Sequence, residues 1–248
     1  MRYKITFQRQ DEQNSSIDLH HQHLLAEWLR PMLDSANPAL CYSTFKGTSK
    51  VHQGQIKFIS SKITWILASS DEAMLSALID KIMALEVAEI GTLKLTPKQS
   101  DALPYPEFID RTKYVCISPM VPVLPEGKKT NGEHALDPQQ GEFSDQLFDV
   151  VMQKMEAAGF TEEQLDKYRV FGITADQEYL HRQRSAGKRI YRNYTDKNHQ
   201  EFLGYLFPFS MHAHLDVHKF IWDNGLGLLT EQGFGMIDTA DKSSHAAS

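Results

Sequence analysis

Three histidines lie within four residues of one another, His20, His21 and His23, in the stretch HHQHLLAEWLR. Because the pKa of imidazole lies near neutrality, a histidine can accept or donate a proton under cellular conditions. A helix N-terminus favours the neutral form of a nearby histidine, and the neutral form is the one that acts as a general base. The sequence therefore offers a candidate acid–base site at the start of a predicted helix, with His20 and His23 on one face.

These histidines are also compatible with purely structural roles. Each can be a capping or surface residue, and no Cys or acidic partner stands at the spacing that a zinc site would need. We therefore expect neither a metal nor a cofactor. His52, in the turn KVHQGQ, is typical of a solvent-facing turn residue, and three further histidines near the carboxyl end are expected at the surface or against a ligand: His212, His214 and His218.

The stretch GLGLLTEQGFG contains two G-x-G pairs, formed by Gly225, Gly227, Gly233 and Gly235. Its spacing matches neither the dinucleotide-binding fingerprint nor the phosphate-binding loop of nucleotide triphosphatases. Gly225 is expected to end a helix, and Gly227 to allow a close backbone approach. Two interpretations stay open, a structural connection from helix to strand and a ribose-phosphate contact through exposed backbone N–H groups.

Positive charge is concentrated in one block of an otherwise acidic half of the chain. The net charge is −6, yet residues 181–200 hold six Lys or Arg against one acidic residue, whereas residues 113–180 hold six against twelve. Interleaved tyrosines make this block typical of a contact with a nucleic-acid backbone, although a solvated hairpin would look similar. The candidate contact residues are Arg182, Arg184, Lys188, Arg189 and Arg192.

The first half of the chain predicts the element order β-α-β-β-α-β. Residues 2–9 alternate as a strand, a helix capped by Asp18 follows, and residues 55–61 and 62–70 form a hairpin of two strands. A serine-capped helix over residues 69–86 and a strand over 89–97 complete the unit. This order is the split unit of the ferredoxin-like fold.

The second half predicts the same order less clearly. Residues 113–124 read as a strand interrupted by prolines, which favours a sheet edge or a bulge. Residues 142–159 read as a helix with Ser144 as its cap and Gly159 past its end. The segment 169–184 and the basic block are predicted to be the two middle strands, followed by a strand, a short helix over 214–224 and a closing strand. The sequence thus predicts an α+β protein of two tandem ferredoxin-like (βαββαβ) domains with antiparallel sheets, covering residues 1–111 and 112–240, and a disordered tail over 241–248.

The composition and the cysteines bear on membrane association and on the cellular compartment. No apolar run is long enough to span a bilayer, and the first residues read as a strand rather than a signal peptide, so we expect no membrane association. Cys41 and Cys116 stand in apolar, strand-like settings without a CxxC motif. Two buried free thiols suit a reducing cytoplasm.

The chain resembles the CRISPR-associated repeat-RNA endoribonucleases of the RAMP superfamily. The strongest likeness is the ending G-L-G-x-x-T-E-Q-G-F-G-M-I. Weaker likenesses are ISPM at 117–120, HHQHLLAEWLR, and CYSTFKGTSK followed by GQIKFISSKITWILASS. Together they span roughly residues 2–240.

The resemblance implies metal-independent cleavage of CRISPR precursor transcripts within each repeat. A ribose 2′-OH would attack the adjacent phosphate, leaving a 2′,3′-cyclic phosphate and a 5′-OH, and this needs a base, an acid and a cation near phosphorus. It also implies a repeat-RNA partner, single-stranded or folded as a stem-loop, and a CRISPR effector complex or a homodimer as further assemblies. The candidates near the helix are the three histidines together with Tyr42, Lys46 and Lys50.

One departure from the family pattern keeps other functions open. The loop DSANPAL after the first helix contains no histidine, where the family often places its catalytic one. A non-catalytic repeat-RNA-binding subunit is therefore an alternative to the nuclease. An unrelated ferredoxin-like interaction module is a second alternative.

Overall fold

The computed structural model of the protein describes residues 1–10, 16–34, 38–125, 135–195 and 200–240. The predicted disordered tail, 241–248, lies outside these residues. The chain divides into two compact units. The first comprises Met1–Tyr105 with the short segment Glu231–Gly233, and the second comprises Pro106–Thr230 with the chain from Phe234 onwards.

In the residues that the structure describes, the first unit contains two α-helices and eight strands. In chain order these are β1 (Arg2–Arg9), β2 (Ser16–Asp18), α1 (Gln22–Leu29), β3 (Cys41–Tyr42), β4 (Ser49–His52), β5 (Gln55–Phe58), β6 (Lys62–Ala68), α2 (Glu72–Met83), β7 (Ala88–Ile90) and β8 (Leu93–Leu103).

The main sheet of the first unit has the order β3-β6-β1-β8-β7, and its pairs are antiparallel. The strands β1, β3, β6 and β8 with the two helices form the predicted βαββαβ unit. The prediction that residues 55–61 form the second strand of this unit is wrong. The second strand is β3, which has only two residues. Residues 55–58 instead form the centre of a separate three-stranded sheet, β2-β5-β4.

The helices of the first unit start differently from the prediction. Asp71, not a serine, caps α2 by accepting a hydrogen bond from the backbone N–H of Met74 at 2.9 Å. Asp18 does not cap α1, because its carboxylate accepts from the backbone N–H of His20 in the turn before the helix. α1 ends at Leu29 and continues as a 3-10 turn that contains Pro31.

Among its described residues, the second unit contains four α-helices and six strands. In chain order these are β9 (Arg111–Cys116), α3 (Gly141–Ala157), α4 (Glu162–Asp166), β10 (Phe171–Ala175), α5 (Gln177–Ser185), β11 (Tyr191–Thr195), β12 (Glu201–Tyr205), β13 (Phe209–Ala213), α6 (Leu215–Asn224) and β14 (Ile237–Thr239).

The main sheet of the second unit has the order β10-β13-β9-β14, and its pairs are antiparallel. With α3 and α6 it repeats the βαββαβ arrangement, so the predicted tandem ferredoxin-like fold is confirmed. β9 lies inside the sheet rather than at its edge, because it ends at Cys116, before Pro119 and the later prolines. α6 ends as predicted at Gly225, which has a φ of 76°.

Two further expectations for the second unit are wrong. The basic block does not form a middle strand, because Arg182 and Arg184 lie on helix α5 and Arg192 lies on β11, which pairs with β12 in a separate ribbon. Ser144 does not cap α3. The helix begins at Gly141, and the Ser144 hydroxyl accepts from the backbone N–H of Ile173 at 3.1 Å.

Each unit has its own apolar core. In the first unit, Leu75, Leu78 and Ile82 of α2 are buried with the large side chains of the sheet, among which Trp65 is fully buried. In the second unit, Phe143, Leu147 and Val151 of α3 occupy the same position over the sheet. The 3.6-residue periodicity of these apolar positions explains why both helices were predictable.

Candidate functional site

The turn between β2 and α1 holds His21 by its own backbone. The ring atom Nδ1 of His21 lies 2.8 Å from the carbonyl oxygen of Asp18. Because a carbonyl oxygen can only accept, Nδ1 carries the proton in this arrangement and Nε2 bears the lone pair. Among the described residues, Nε2 of His21 is buried and has no hydrogen-bond partner.

Burial keeps His21 neutral. The residue is 1% exposed, and its ring stacks on Phe45 with 5.9 Å between the ring centroids. Burial, with smaller contributions from the charges of His23 and Lys46, lowers the pKa of His21 to about 4 against the opposing effects of the Asp18 carbonyl and carboxylate. His21 is therefore an uncharged interior side chain near neutral pH, with no open path to a substrate.

The neighbouring histidines are more accessible. His23 is exposed on α1, and its Nδ1 lies 2.9 Å from the carbonyl oxygen of His20. That contact assigns the Nδ1 proton and leaves Nε2 of His23 as the acceptor. His20 is half-buried in the turn before α1, so the expectation that His20 and His23 share a helix face is wrong.

Tyr42 lies inside the first unit. It is fully buried on β3, and its hydroxyl donates to the backbone carbonyl of Glu231 at 3.1 Å. Burial, with a smaller contribution from the Glu231 charge, raises the pKa of Tyr42 well above its usual value. The structure thus gives the Tyr42 hydroxyl a structural partner.

The two candidate lysines occupy different positions. Lys46 forms a backbone bridge with Thr64 of β6. Desolvation lowers the pKa of the Lys46 ammonium, although the residue as a whole is exposed. The charge of Lys46 is close enough to His21 to lower the pKa of that imidazole. Lys50 is exposed on β4, and its side chain makes no hydrogen bond or ion pair within the described ranges. The structure therefore brings Lys46 to the histidines and leaves Lys50 apart.

The parts of the glycine-rich stretch that belong to the second unit are held by backbone hydrogen bonds within that unit. The backbone N–H of Gly235 donates to Pro119 at 2.7 Å, that of Leu228 donates to Val121 at 2.8 Å, and that of Gly225 donates to Ile221 at 2.9 Å. These three N–H groups are engaged inside the protein and are unavailable to a phosphate. The predicted RNA contact of the glycine stretch would have to use its other groups.

Three of the four glycines are required by close approach, among them Gly235, where an added Cβ would meet the carbonyl oxygen of Leu226. At Gly227, with a φ of +93°, an added Cβ would lie 2.5 Å from the carbonyl oxygen of Val121. At Gly233, with a φ of +87°, it would lie 2.6 Å from Cε2 of the Tyr42 ring and 3.4 Å from Cγ of Gln22. The close backbone approach predicted for Gly227 is therefore to protein.

Lys154 anchors the same stretch, a role that no sequence pattern predicted. Its Nζ donates to the carbonyl of Asn224 at 3.0 Å, to the hydroxyl of Thr230 at 3.0 Å and to the carbonyl of Gly227 at 3.4 Å. A lysine in the last turn of a helix usually signals a favourable interaction with the helix dipole. Nothing in the sequence ties it to a loop about seventy residues later.

The five predicted RNA-binding cations are exposed in the second unit: Arg182, Arg184, Lys188, Arg189 and Arg192. Arg184 pairs with Asp137 at 3.5 Å, and the Arg189 guanidinium lies 5.8 Å from the centre of the Tyr191 ring. Beside α5 is an open groove of about 670 Å³, lined by Gln139, Gln177, Glu178, His181, Arg182 and Arg184. The sequence did not predict this groove, because Gln139 lies some forty residues before α5 in the chain.

Residues 103–239 match the family model described as "CRISPR associated protein Cas6, C-terminal". This match covers more than half of the chain, including the glycine-rich stretch. The chain belongs to the Cas6 family. The resemblance seen in the sequence is confirmed, and the alternative of a ferredoxin-like module unrelated to this family is wrong.

Solved structures share the Cas6-like fold over nearly the whole chain. A "CRISPR associated protein Cas6" is 18% identical, with a TM-score of 0.76 over 97% of this chain and 99% of its own. The product of a Cas6-related gene from Pyrococcus furiosus is 20% identical, with a TM-score of 0.78 over 98% and 99% of the two chains. An RAMP protein that binds different RNA substrates is 19% identical, with a TM-score of 0.75 over 97% and 100%. At these sequence identities the similarity to solved structures establishes the fold. No curated protein sequence is significantly similar to this Cas6-family chain.

Within the described ranges, no three His, Cys, Asp or Glu side chains come together as possible metal ligands. No described helix has both the length and the apolar character needed to cross a membrane.

Proposed function

We propose that this Cas6-family protein binds CRISPR repeat RNA and cleaves it without a metal ion. The observation that carries the proposal is the family match over residues 103–239, joined to a fold shared along the full length with Cas6 and RAMP proteins. Assembly into a CRISPR effector complex or a homodimer stays a prediction.

The proposed base is His23. It is the exposed member of the cluster, and the His20 carbonyl orients its ring so that Nε2 can accept a proton. His23 would take the proton of the ribose 2′-OH, whose oxygen then forms a bond to phosphorus as the bond from phosphorus to the 5′ oxygen breaks. The leaving 5′ oxygen takes a proton from water, giving a 5′-OH and a 2′,3′-cyclic phosphate. Lys46 is the proposed cation for the charge that develops on the phosphate.

The proposed binding surface of the second unit combines the five exposed cations with the groove beside α5. A-form RNA is read mostly through its shape and backbone, and unpaired bases are read through their edges. Arginine forks suit the phosphates, and the amides of Gln139 and Gln177 suit the edge of an unpaired base.

A second candidate, a non-cleaving repeat-RNA binder, is favoured by a specific observation. His21 and Tyr42 are buried, and the Tyr42 hydroxyl is engaged with Glu231. Of the candidates named from sequence, only His23 and the lysines then have access to solvent without rearrangement, with His20 half-accessible.

One assay separates the two. Purified protein is incubated with repeat RNA in EDTA, and the ends of the products are analysed. The nuclease predicts 2′,3′-cyclic phosphate ends, and His23→Ala should slow cleavage roughly 10²- to 10⁴-fold while the Kd for RNA stays unchanged. His52→Ala, which removes another exposed imidazole of the same unit, is the control and should cleave normally. RNA binding without any cleavage by the wild-type protein would establish the binder instead.

A further inference from the structure

A carboxylate without a partner lies in the groove beside α5. Glu178 is exposed and lines this groove together with Arg182, which follows four residues later on the same helix. A glutamate and an arginine at this spacing on a helix ordinarily attract each other as an ion pair. Neither side chain makes a hydrogen bond or an ion pair with any residue that the structure describes. Both charged groups are therefore open to a ligand.

Binding of phosphates does not account for this carboxylate. The other charged side chains that line the groove are the cations Arg182 and Arg184, and Arg184 already pairs with Asp137 at 3.5 Å. A negative charge beside them weakens the attraction of the groove for an RNA backbone. Glu178 therefore opposes the role proposed for the arginines, unless it contacts a part of the RNA that carries hydrogen-bond donors.

The start of α5 gives Glu178 a second, purely structural explanation. Acidic residues in the first turn stabilise a helix through its dipole, and Glu178 lies in the first turn of α5. Asp176 already supplies a negative charge there, because it caps the helix by accepting from the backbone N–H of Tyr179 at 2.8 Å. The two explanations predict different effects on RNA recognition, because only a contact with the base depends on which base is bound.

Side chains from a second segment hold the wall of the groove in place. The Asp137 carboxylate accepts from the backbone N–H of Gln139 at 3.0 Å through one oxygen and pairs with Arg184 through the other. The Gln139 amide donates to the Gln177 amide oxygen, and the Gln177 amide donates to the carbonyl of Ala175 at 3.2 Å. Each of the two amides thus keeps one N–H for a ligand.

Guanine is the base whose edge matches these groups. An ionised carboxylate only accepts hydrogen bonds, and guanine alone among the four bases of RNA has two neighbouring nitrogens that donate, N1 and N2, followed by the acceptor O6. Adenine and cytosine place a ring nitrogen with a lone pair beside their amino group, and uracil places a carbonyl oxygen on each side of N3. A carboxylate is repelled by these lone pairs, so it selects against all three. Because a paired guanine uses the same edge in its base pair, only an unpaired one is available.

We propose that the groove beside α5 selects an unpaired guanosine of the repeat RNA, with the Glu178 carboxylate accepting from N1–H and N2–H. An amide N–H of Gln139 or Gln177 donates to O6. The His181 ring, which also lines the groove, offers a surface for stacking, and Arg182 contacts the phosphate. The volume of about 670 Å³ is that of a small-ligand site. The proposal rests on the proposed RNA-binding function and names the base that one part of this surface reads.

Inosine tests this assignment, because it differs from guanosine only in lacking the N2 amino group. Repeat RNA is prepared with each guanosine replaced in turn by inosine, and the Kd is measured by fluorescence anisotropy at fixed salt. At one unpaired position, inosine should weaken binding to the wild-type protein roughly tenfold, as expected for one hydrogen bond to a charged group. In Glu178→Ala the same replacement should have no effect, although the lost negative charge strengthens the binding of every RNA. At paired positions, any penalty comes from the RNA stem and should be equal in both proteins.

Glu163→Ala is the matched control, because Glu163 is exposed in the first turn of α4 in the same unit, and it should keep the full inosine penalty. Wild-type protein that binds every inosine variant as tightly as the unmodified RNA overturns the guanosine assignment and leaves repeat-RNA binding intact. A penalty that survives in Glu178→Ala at every position overturns it as well, and so does a penalty that is lost equally in Glu163→Ala. Failure of the wild-type protein to bind repeat RNA overturns the proposed function itself, and the inference with it.

Discussion

The hydroxyl of Tyr42 donates a hydrogen bond to the carbonyl of Glu231, a residue 189 positions later in the chain. The contact belongs to the first compact unit, which includes the segment Glu231–Gly233. Gly233 packs on the edge of the same ring, where a Cβ would be too close. A buried tyrosine that meets a backbone carbonyl in this way is a structural donor.

Tyr42→Phe is expected to lower the free energy of unfolding by about 1 kcal/mol, because it removes one buried hydrogen bond and keeps the ring. Tyr42→Ala also leaves a cavity and should cost roughly 3–5 kcal/mol. Urea unfolding followed by circular dichroism measures both. An unchanged stability of Tyr42→Phe would show that the hydroxyl does not hold Glu231.

The stability of the protein should fall as the pH drops from about 6.5 to 4 because of His21. Its pKa is lowered from 6.5 to about 4 in the folded state, so over this window the unfolded state binds a proton that the folded state does not. The contribution of the neutral His21 to the free energy of unfolding is fully present above pH 6.5. Roughly 3 kcal/mol of it is lost by pH 4.

His21→Asn provides the comparison, because asparagine cannot titrate and still offers an N–H to the Asp18 carbonyl. Unfolding free energies at pH 7.5 and pH 5 are compared between the two proteins, so that the contributions of carboxylates and of His218 cancel. A wild-type protein no more sensitive to acid than His21→Asn would contradict the burial of a neutral His21.

The element order was predictable because apolar periodicity is a local property. The helices α2, α3 and α6 follow directly from it. The second strand of the first unit was missed because β3 has only two residues and no pattern to detect. The basic block was assigned to a strand, yet Asp176 caps a helix there by accepting from the backbone N–H of Tyr179 at 2.8 Å, and that cap was visible in the sequence.

The candidate site was predictable in its residue types and not in its exposure. The sequence placed three histidines together, but it could not tell that His21 faces Phe45 while His23 faces solvent. Which of two adjacent side chains is buried depends on the angle between a turn and a helix, and tertiary contacts determine that angle. Lys154 shows the same limit of local reasoning, because its partners come from a distant loop.

Gly227→Ala should destabilise the second unit strongly. An alanine there would have to adopt a left-handed backbone conformation and would clash with the Val121 carbonyl. Together these effects should lower the free energy of unfolding by roughly 2–5 kcal/mol. Gly187→Ala is the matched control, since Gly187 also has a positive φ of +64° but has nothing within 4 Å of an added Cβ. Only backbone strain, about 1–2 kcal/mol, is expected at Gly187. Equal losses in thermal or urea unfolding would contradict the close contact at Gly227.

Lys154→Met should cost roughly 2–3 kcal/mol, because methionine keeps the length of the side chain and removes the charged donor shared by Asn224, Gly227 and Thr230. Lys167→Met, at an exposed lysine of the same unit, should stay within about 0.5 kcal/mol of wild type. Hydrogen exchange of the amides in residues 225–235 gives a local readout. Faster exchange there in Lys154→Met, and not in Lys167→Met, is expected, and unchanged exchange would refute the anchoring role.

Arg182 and Arg184 should differ in their effect on RNA binding although both are exposed on α5. Arg184 already pairs with Asp137 at 3.5 Å, whereas Arg182 has no ion pair among the described residues. An RNA phosphate would have to displace the Asp137 carboxylate from Arg184. The net binding free energy contributed by a phosphate contact at Arg184 is therefore smaller than at Arg182. Against a repeat stem, Arg182→Ala should flatten the salt dependence by nearly the full 0.9 or so expected of one phosphate contact, and Arg184→Ala by clearly less. Asp137→Ala should then strengthen binding through Arg184. Equal slopes for the two arginine variants, or no gain in Asp137→Ala, would show that the ion pair does not compete with RNA.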